Sequence, residues 1–315
     1  MQPSANQPAT NPLMQLNVNR EVVFDLSSSE SRVIKQLVNV SNDESMTLTS
    51  IIDHDTIIDK SLLPKRADCA WLYGTKYWDM LDERQKMEVM WAEVGRDASM
   101  FIWLEQLLPP FYVGYVNNYR EGFAKEIYEY FMIFAKEEIV HTLMFRKWLD
   151  LTHEQLWPAP SARYSGLLPY IPHLHPVIGV LWTLTVEWAA ETNAIFQTQK
   201  PEVEPVTKKM FHEHHKEEVR HITFGRKMVS NWFENAPEKD KAIVRGAFAN
   251  MLDAIIDLMT YNTDLQKRVS FQLPFDASDE AFAAEIRNSE NNQRINSQRF
   301  AEQKEWYKQL GICHA

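Results

Sequence analysis

The pattern Lys-Glu-Glu-x-x-His occurs twice in this chain, as KEEIVH at 136–141 and as KEEVRH at 216–221. The second copy lies within HHKEEVRH, 214–221, which packs three imidazoles and two carboxylates into eight positions. On a helix, Glu138 and His141 share one face, as do Glu218 and His221, because residues three apart are neighbours. A single pair of this kind is common on a solvated helix face. Two of them restrict the fold strongly. Carboxylate-bridged dinuclear bundles are built from two Glu-x-x-His helices and one glutamate from each of two more.

The rest of the chain can supply those helices. Only nine of 315 residues are glycine, as expected of long helices with few tight turns. Helical periodicity predicts a first helix near 29–39 after serine caps, and a mixed stretch over 40–78 in which LLPKRADCAWLYG reads as loop. One or two helices are expected over 79–108, interrupted at Pro109-Pro110, then others over 122–150, 177–199 and 205–233. A proline-rich linker carries Pro158, Pro160, Pro169, Pro172 and Pro176. PEKDKAIVRGAFANMLDAIIDLMT reads as one helix with Pro237 near its first turn, and one or two terminal helices follow. No long segment alternates as a strand would. The expected class is all-α, a helical bundle over residues 21–315 as one domain, with residues 1–20 a disordered arm.

Charge and composition exclude several roles. A net charge of −10 argues against nucleic-acid binding, which needs a basic face. No run of eighteen apolar residues is present to span a membrane. The N-terminal stretch lacks the basic and apolar regions of a signal peptide, and Cys69 and Cys313 lie too far apart in sequence to suggest a disulfide framework. A cytoplasmic location is expected.

Partner glutamates follow from height. If the chain reverses near Asn118–Gly122, Glu105 and Glu138 lie at similar distances from the turn. If it reverses again near Lys200–Pro205, Glu187 and Glu218 do the same. Antiparallel neighbours would therefore place each glutamate level with its Glu-x-x-His mate. Glu93 would lie roughly 18 Å further along. Glu191, one turn beyond Glu187 on the same face, competes with it at a mismatch of roughly 7 Å. His214, four residues before Glu218, shares its face and is a candidate third imidazole. His215 points about 100° away. Arg220 reads equally well as a partner to the metal face or as a surface arginine. Structural or surface roles are expected for His153, His173 and His175.

HHKEEVRH has the form H-x-x-E-E-x-R-H. With the upstream glutamates and the segment YGTKYWDMLDERQKMEVMWAE, it resembles the di-iron N-oxygenases of the p-aminobenzoate N-oxygenase type over roughly residues 70–260. The resemblance implies a ferritin-like helical core with additional helices, often a homodimer. It also implies a di-iron centre held by Glu105, Glu138, His141, Glu187, His214, Glu218 and His221. Two reduced irons would react with O₂ and place oxygen on an amine nitrogen, giving hydroxylamine, nitroso or nitro product, a chemistry of secondary metabolism. The substrate would be an arylamine or a small aliphatic or amino-acid-derived amine. No flavin or dinucleotide fingerprint is visible, so the electrons would come from an external donor, a protein or a small reductant. The aromatic residues Trp103, Tyr112, Phe134 and Trp188 are candidates for a dry pocket. Two other readings of such a core are a di-iron C–H hydroxylase or desaturase, and a ferritin-like metal store. A third is a purely structural or partner-binding helical protein.

Overall fold

A computed structural model describes residues 12–16, 21–53, 55–159 and 168–312. Its helices, in chain order, are α1 (Ser28–Glu44), the short α2 (Lys76–Asp79), α3 (Glu83–Glu105), α4 (Leu108–Asn118), α5 (Lys125–Thr152), α6 (Pro176–Thr198), α7 (Pro205–Asn235), α8 (Glu238–Phe248), α9 (Met251–Thr260), α10 (Glu280–Arg287), α11 (Glu290–Arg299) and α12 (Ala301–Gln309). Among the described residues the only β pairing is an isolated bridge between Leu63 and Val203. The protein is all-α, as its periodicity predicts.

Local chemistry sets the helix ends. Ser27 and Glu30 form a reciprocal capping box at α1, and Asp82 and Gln85 do the same at α3. Pro109 and Pro110 lie in the first turn of α4, where a missing N–H costs nothing. They therefore end α3 at Glu105 and restart the chain as a new helix. His153 closes α5 in the left-handed conformation (φ 56°).

Four long helices make the bundle. Helix α6 packs along α7, α3 packs on α5, and α1 lies across both α5 and α7. One apolar core runs between them, with Phe101, Phe145, Phe211, Leu181, Leu184 and Phe224 fully or almost fully buried. A second, smaller apolar cluster joins the start of α3 to Trp71, Trp78, Tyr261 and Phe282.

Several expectations need correction. Helix α1 runs five residues past the expected end at 39, to Glu44. The single helix expected after Pro237 is two, α8 and α9, because Asn250 leaves helical geometry (φ −112°, ψ 5°) between them. Three terminal helices replace the one or two expected. Ser289 caps a restart by accepting from Asn292 N, and Phe300 breaks the next junction. The loop LLPKRADCAWLYG contains a 3₁₀ turn at Ala67–Cys69 and is largely internal. There the buried Lys65 pairs with Glu93, which also accepts from Trp71 N, so Glu93 is committed to holding this loop. Residues 1–11 and 17–20 of the expected arm lie outside the described residues. Between them Pro12–Gln15 forms a 3₁₀ turn against α8, with Leu13 buried in the main core. Residues 160–167 of the proline-rich linker, and Cys313, also lie outside the described residues.

Candidate metal centre

All four long helices send carboxylates inward at one level. Glu105 comes from the last turn of α3, Glu138 and His141 from α5, Glu187 from α6, and His214, Glu218 and His221 from α7. These side chains form two groups whose ligand atoms lie within 4.8 Å of one another. One group is Glu105, His141, His214 and Glu218; the other is Glu138, Glu187, Glu218 and His221. Glu218 belongs to both. The structure thus brings together all seven residues singled out from the sequence, every one of them buried.

The inward atoms have a common property. Glu105 Oε2, both oxygens of Glu138 and of Glu218, Glu187 Oε1, His141 Nδ1 and His221 Nδ1 are buried without a hydrogen-bond partner. Leaving one such atom unpaired is costly, and leaving eight converging ones is far costlier. A mixed carboxylate and imidazole set with its donor atoms free is the arrangement that iron or a similar divalent ion satisfies. Two dications would also balance the charge of the four inward carboxylates.

The histidines are aimed by a second set of carboxylates. His141 Nε2 lies 2.7 Å from Glu217 Oε2, and His221 Nε2 lies 2.8 Å from Glu137 Oε2. The first glutamate of each Lys-Glu-Glu-x-x-His copy therefore reaches across to the histidine of the other copy. Donation from Nε2 leaves Nδ1 as the free lone pair on both rings. His214 is oriented the opposite way. Its Nδ1 lies 3.0 Å from Glu191 Oε2, while Nε2 faces Glu105 and Glu218 at 3.0 and 3.2 Å. Glu191, the competitor of Glu187, thus sits behind His214, and its other oxygen takes His215 Nδ1 at 2.8 Å.

Arg220 resolves in favour of the centre. It is buried, and Nη2 lies 3.0 Å from Glu137 Oε1 and 3.3 Å from Glu217 Oε1, so one guanidinium serves both aiming carboxylates. Helix α1 and the two residues after it complete the shell. Ser41 Oγ accepts from Arg220 Nε, Ser45 Oγ donates to Glu137, and Met46 N donates to Glu217. No pattern in the sequence points to this part of α1 and its end. For Glu137 and Glu217 the sign was present, since the duplicated motif carries both of its glutamates.

Electrostatics follow from this geometry. Burial pushes Glu138 up to about 7, with the neighbouring Glu218 adding to the effect. Burial also pushes Glu187 well above the usual carboxylate range. Glu137 is buried as well, but its bond to His221 and the charges of His221 and Arg220 outweigh that and hold it down at about 2. Burial and His214 pull His141 down, yet its carboxylate neighbours lift it to about 9. A histidine ligates through its neutral ring, so metal uptake at this centre would release protons.

Aromatic rings close the centre. Phe134 stacks on His221 with centroids 3.7 Å apart, Tyr112 lies against Phe134 at 4.3 Å, and Phe101 and Phe145 present edges to His214 at 4.8 and 4.9 Å. Of the four aromatics expected to form a dry pocket, Phe134 and Tyr112 stand here. Trp103 donates instead to Trp157 O, and Trp188 packs on Trp306, because their positions on α3 and α6 turn them away. His153, His173 and His175 lie elsewhere, His175 capping α6 by accepting from Val177 N.

The family model described as P-aminobenzoate N-oxygenase AurF matches residues 27–311. That span contains every residue of the centre. The chain belongs to this family. It is accordingly a di-iron oxygenase of the N-oxygenating kind, as the form H-x-x-E-E-x-R-H suggests. No curated protein matches the chain. Among the described residues no helix is long and apolar enough to cross a membrane.

Proposed function

We propose that this N-oxygenase family member holds two irons between α3, α5, α6 and α7 and oxidises the nitrogen of an arylamine. Glu105, His141, His214 and Glu218 would hold one iron, and Glu138, Glu187, Glu218 and His221 the other. The observation that carries this reading is the pair of four-residue groups meeting at Glu218, with eight inward polar atoms that make no hydrogen bond among the described residues and face one another only as ion pairs. Two reduced irons in that place would supply electrons to O₂ and direct one of its oxygen atoms to nitrogen.

The protein's own residues do the rest. Glu137, Glu217 and Glu191 each take a ring N–H and so present the opposite nitrogen inward. Against its burial, the bond to His221 and the charges of His221 and Arg220 keep Glu137 ionised, so this acceptor is not lost at neutral pH. Phe101, Phe134 and Phe145 exclude water around the histidines, which lowers the local dielectric and strengthens every charge interaction inside. A nitrogen to be oxidised must offer its lone pair. Arylamines do so at pH 7, whereas an alkyl ammonium would first have to lose a proton on entering this apolar wall. An arylamine is therefore the first choice and an aliphatic amine the second. Electrons come from an external donor.

The test is to load the protein with iron, reduce it, and expose it to ¹⁸O₂ with a panel of arylamines and amino-acid-derived amines. Mass spectrometry should find ¹⁸O on nitrogen of at least one arylamine. Oxygen found only on carbon would point to a hydroxylase, and no product from any amine would point to metal storage.

A further inference from the structure

A groove of about 810 Å³ runs over the first turns of α3, beside the residues that follow α5, and Trp91 lies in its floor. Behind Trp91 stands the fully buried Trp148 of α5, its indole stacked on that of Trp91 with centroids 6.0 Å apart and planes at 20°. Trp148, Phe145 and His141 occupy successive turns of one face of α5. Phe145 stacks in turn on Phe101 at 4.8 Å, and both rings meet His214 edge-on. Trp148 is about 10 Å from His141 along the helix axis. An aromatic column therefore joins the groove floor to the metal centre.

The chemistry of the column singles out its two indoles. Tryptophan gives up an electron far more easily than phenylalanine, so Phe145 and Phe101 fill the gap without holding charge. Trp91 Nε1 is buried without a hydrogen-bond partner among the described residues. Trp148 Nε1 donates to Thr207 Oγ1 at 3.1 Å, and a hydroxyl is too weak a base to take its proton. An oxidised indole at either position keeps its N–H, so charge passes between them as an electron alone. Lys60 lies over Trp91 with Nζ 5.2 Å from the ring centroid, but Glu154 sits 2.5 Å from that ammonium and offsets its charge. Tyr130 stands nearer the centre, its ring 6.4 Å from His221, yet its buried hydroxyl has no hydrogen-bond partner among the described residues. A phenol loses an electron readily only as its proton leaves to a base, so Tyr130 is a poor rival.

We propose that Trp148 and Trp91 form an outlet for oxidising equivalents when O₂ has reacted and no amine is bound, an inference that rests on the function proposed above. Trp148 passes one electron to the oxidised centre and becomes a radical cation. Trp91 refills Trp148 and takes over the positive charge. A small one-electron reductant of the ascorbate class, reaching Trp91 from the groove, restores it and loses its own proton to water. No bond in the protein forms or breaks. The column thereby spares the ligand histidines and the rings around them from oxidation.

Full-length protein, loaded with iron, chemically reduced and mixed with O₂ in the absence of amine, tests this, with iron content measured on the same sample. Rapid freezing and EPR should show a tryptophan radical, identified by a narrower spectrum in protein grown with ring-deuterated tryptophan. Trp148→Phe should cut the radical yield at least tenfold at unchanged iron content. Trp91→Phe should leave a radical on Trp148 that ascorbate quenches at least tenfold more slowly, because no oxidisable ring then lines the groove. Should Trp148→Phe fail to fold, Trp91→Phe and the deuterium label carry the test. Protein that holds two irons yet gives no radical, or only a tyrosine radical, would overturn the proposal and leave the proposed function standing. So would an unchanged yield in Trp148→Phe, or equally fast quenching in Trp91→Phe. Protein that binds no iron would remove the proposed function and this outlet with it.

Discussion

Single residues in this protein act mostly through the atom they leave free. Glu137 and Glu217 engage one ring nitrogen and thereby expose the other. Glu137→Gln and Glu217→Gln should each weaken iron binding by about 10–100-fold, the usual effect of removing a carboxylate behind a ligand histidine. Competition against a chromophoric chelator measures this, and unchanged affinity in both variants would remove the aiming role. By the same logic His214→Ala should abolish most activity and His215→Ala little of it, because only His214 enters the inward group. These proposed ligand positions were legible from spacing because helical periodicity fixes a face. The aiming role of Glu137 and Glu217 was not, since it joins residues 76 and 84 apart in sequence and no local rule pairs them. His175 gives a pH prediction. Burial alone lowers its pKa to about 4, so the folded protein holds it neutral where the unfolded chain would protonate it. Its contribution is complete above about pH 6.5 and is lost as pH falls from there to about 4. The full effect is about 3 kcal/mol at about 1.4 kcal/mol per pKa unit. Asparagine keeps an acceptor for Val177 N without titrating, so His175→Asn should flatten the acid limb of a stability–pH curve, even if packing on Trp232 is lost. An unchanged limb would mean that other groups set it.

Elements are held at the spacing the centre needs by close contacts along their lengths. Gly179, in the first turns of α6, donates its N–H to Tyr115 Oη on α4. A Cβ at that position would meet Tyr115 Oη at 2.2 Å and Ile171 Cγ2 at 2.9 Å. Gly179→Ala should therefore cost about 1–3 kcal/mol by forcing α6 and α4 apart, read as a lower midpoint in thermal or denaturant unfolding. No loss would show that the two helices have slack there. Helix type and rough extent were readable from periodicity throughout. Boundaries were readable where a cap or proline marks them, as at Asp82 and Pro109. The break at Asn250 and the restart at Ser289 were harder to see, because the apolar pattern continues across the first and little pattern exists around the second. The contribution of α1 could not be read at all. Its Ser41, and Ser45 and Met46 just past its end, reach Arg220, Glu137 and Glu217 through tertiary contacts that leave no periodic trace.

At the scale of the whole molecule, the bundle gathers buried carboxylates from four helices at one level, and Glu218 stands where their two groups meet. This cluster was visible in the sequence because its residues repeat a motif. The proposed function depends on two metal ions sharing Glu218. Anaerobic titration of the metal-free protein with Fe(II), followed to its endpoint by metal analysis after desalting, measures that directly. An endpoint of two irons per chain is expected, with Glu218→Ala weakening both sites together because that residue belongs to both groups. An endpoint of one or none in the unaltered protein, or a Glu218→Ala protein that still binds two irons as tightly, would contradict it.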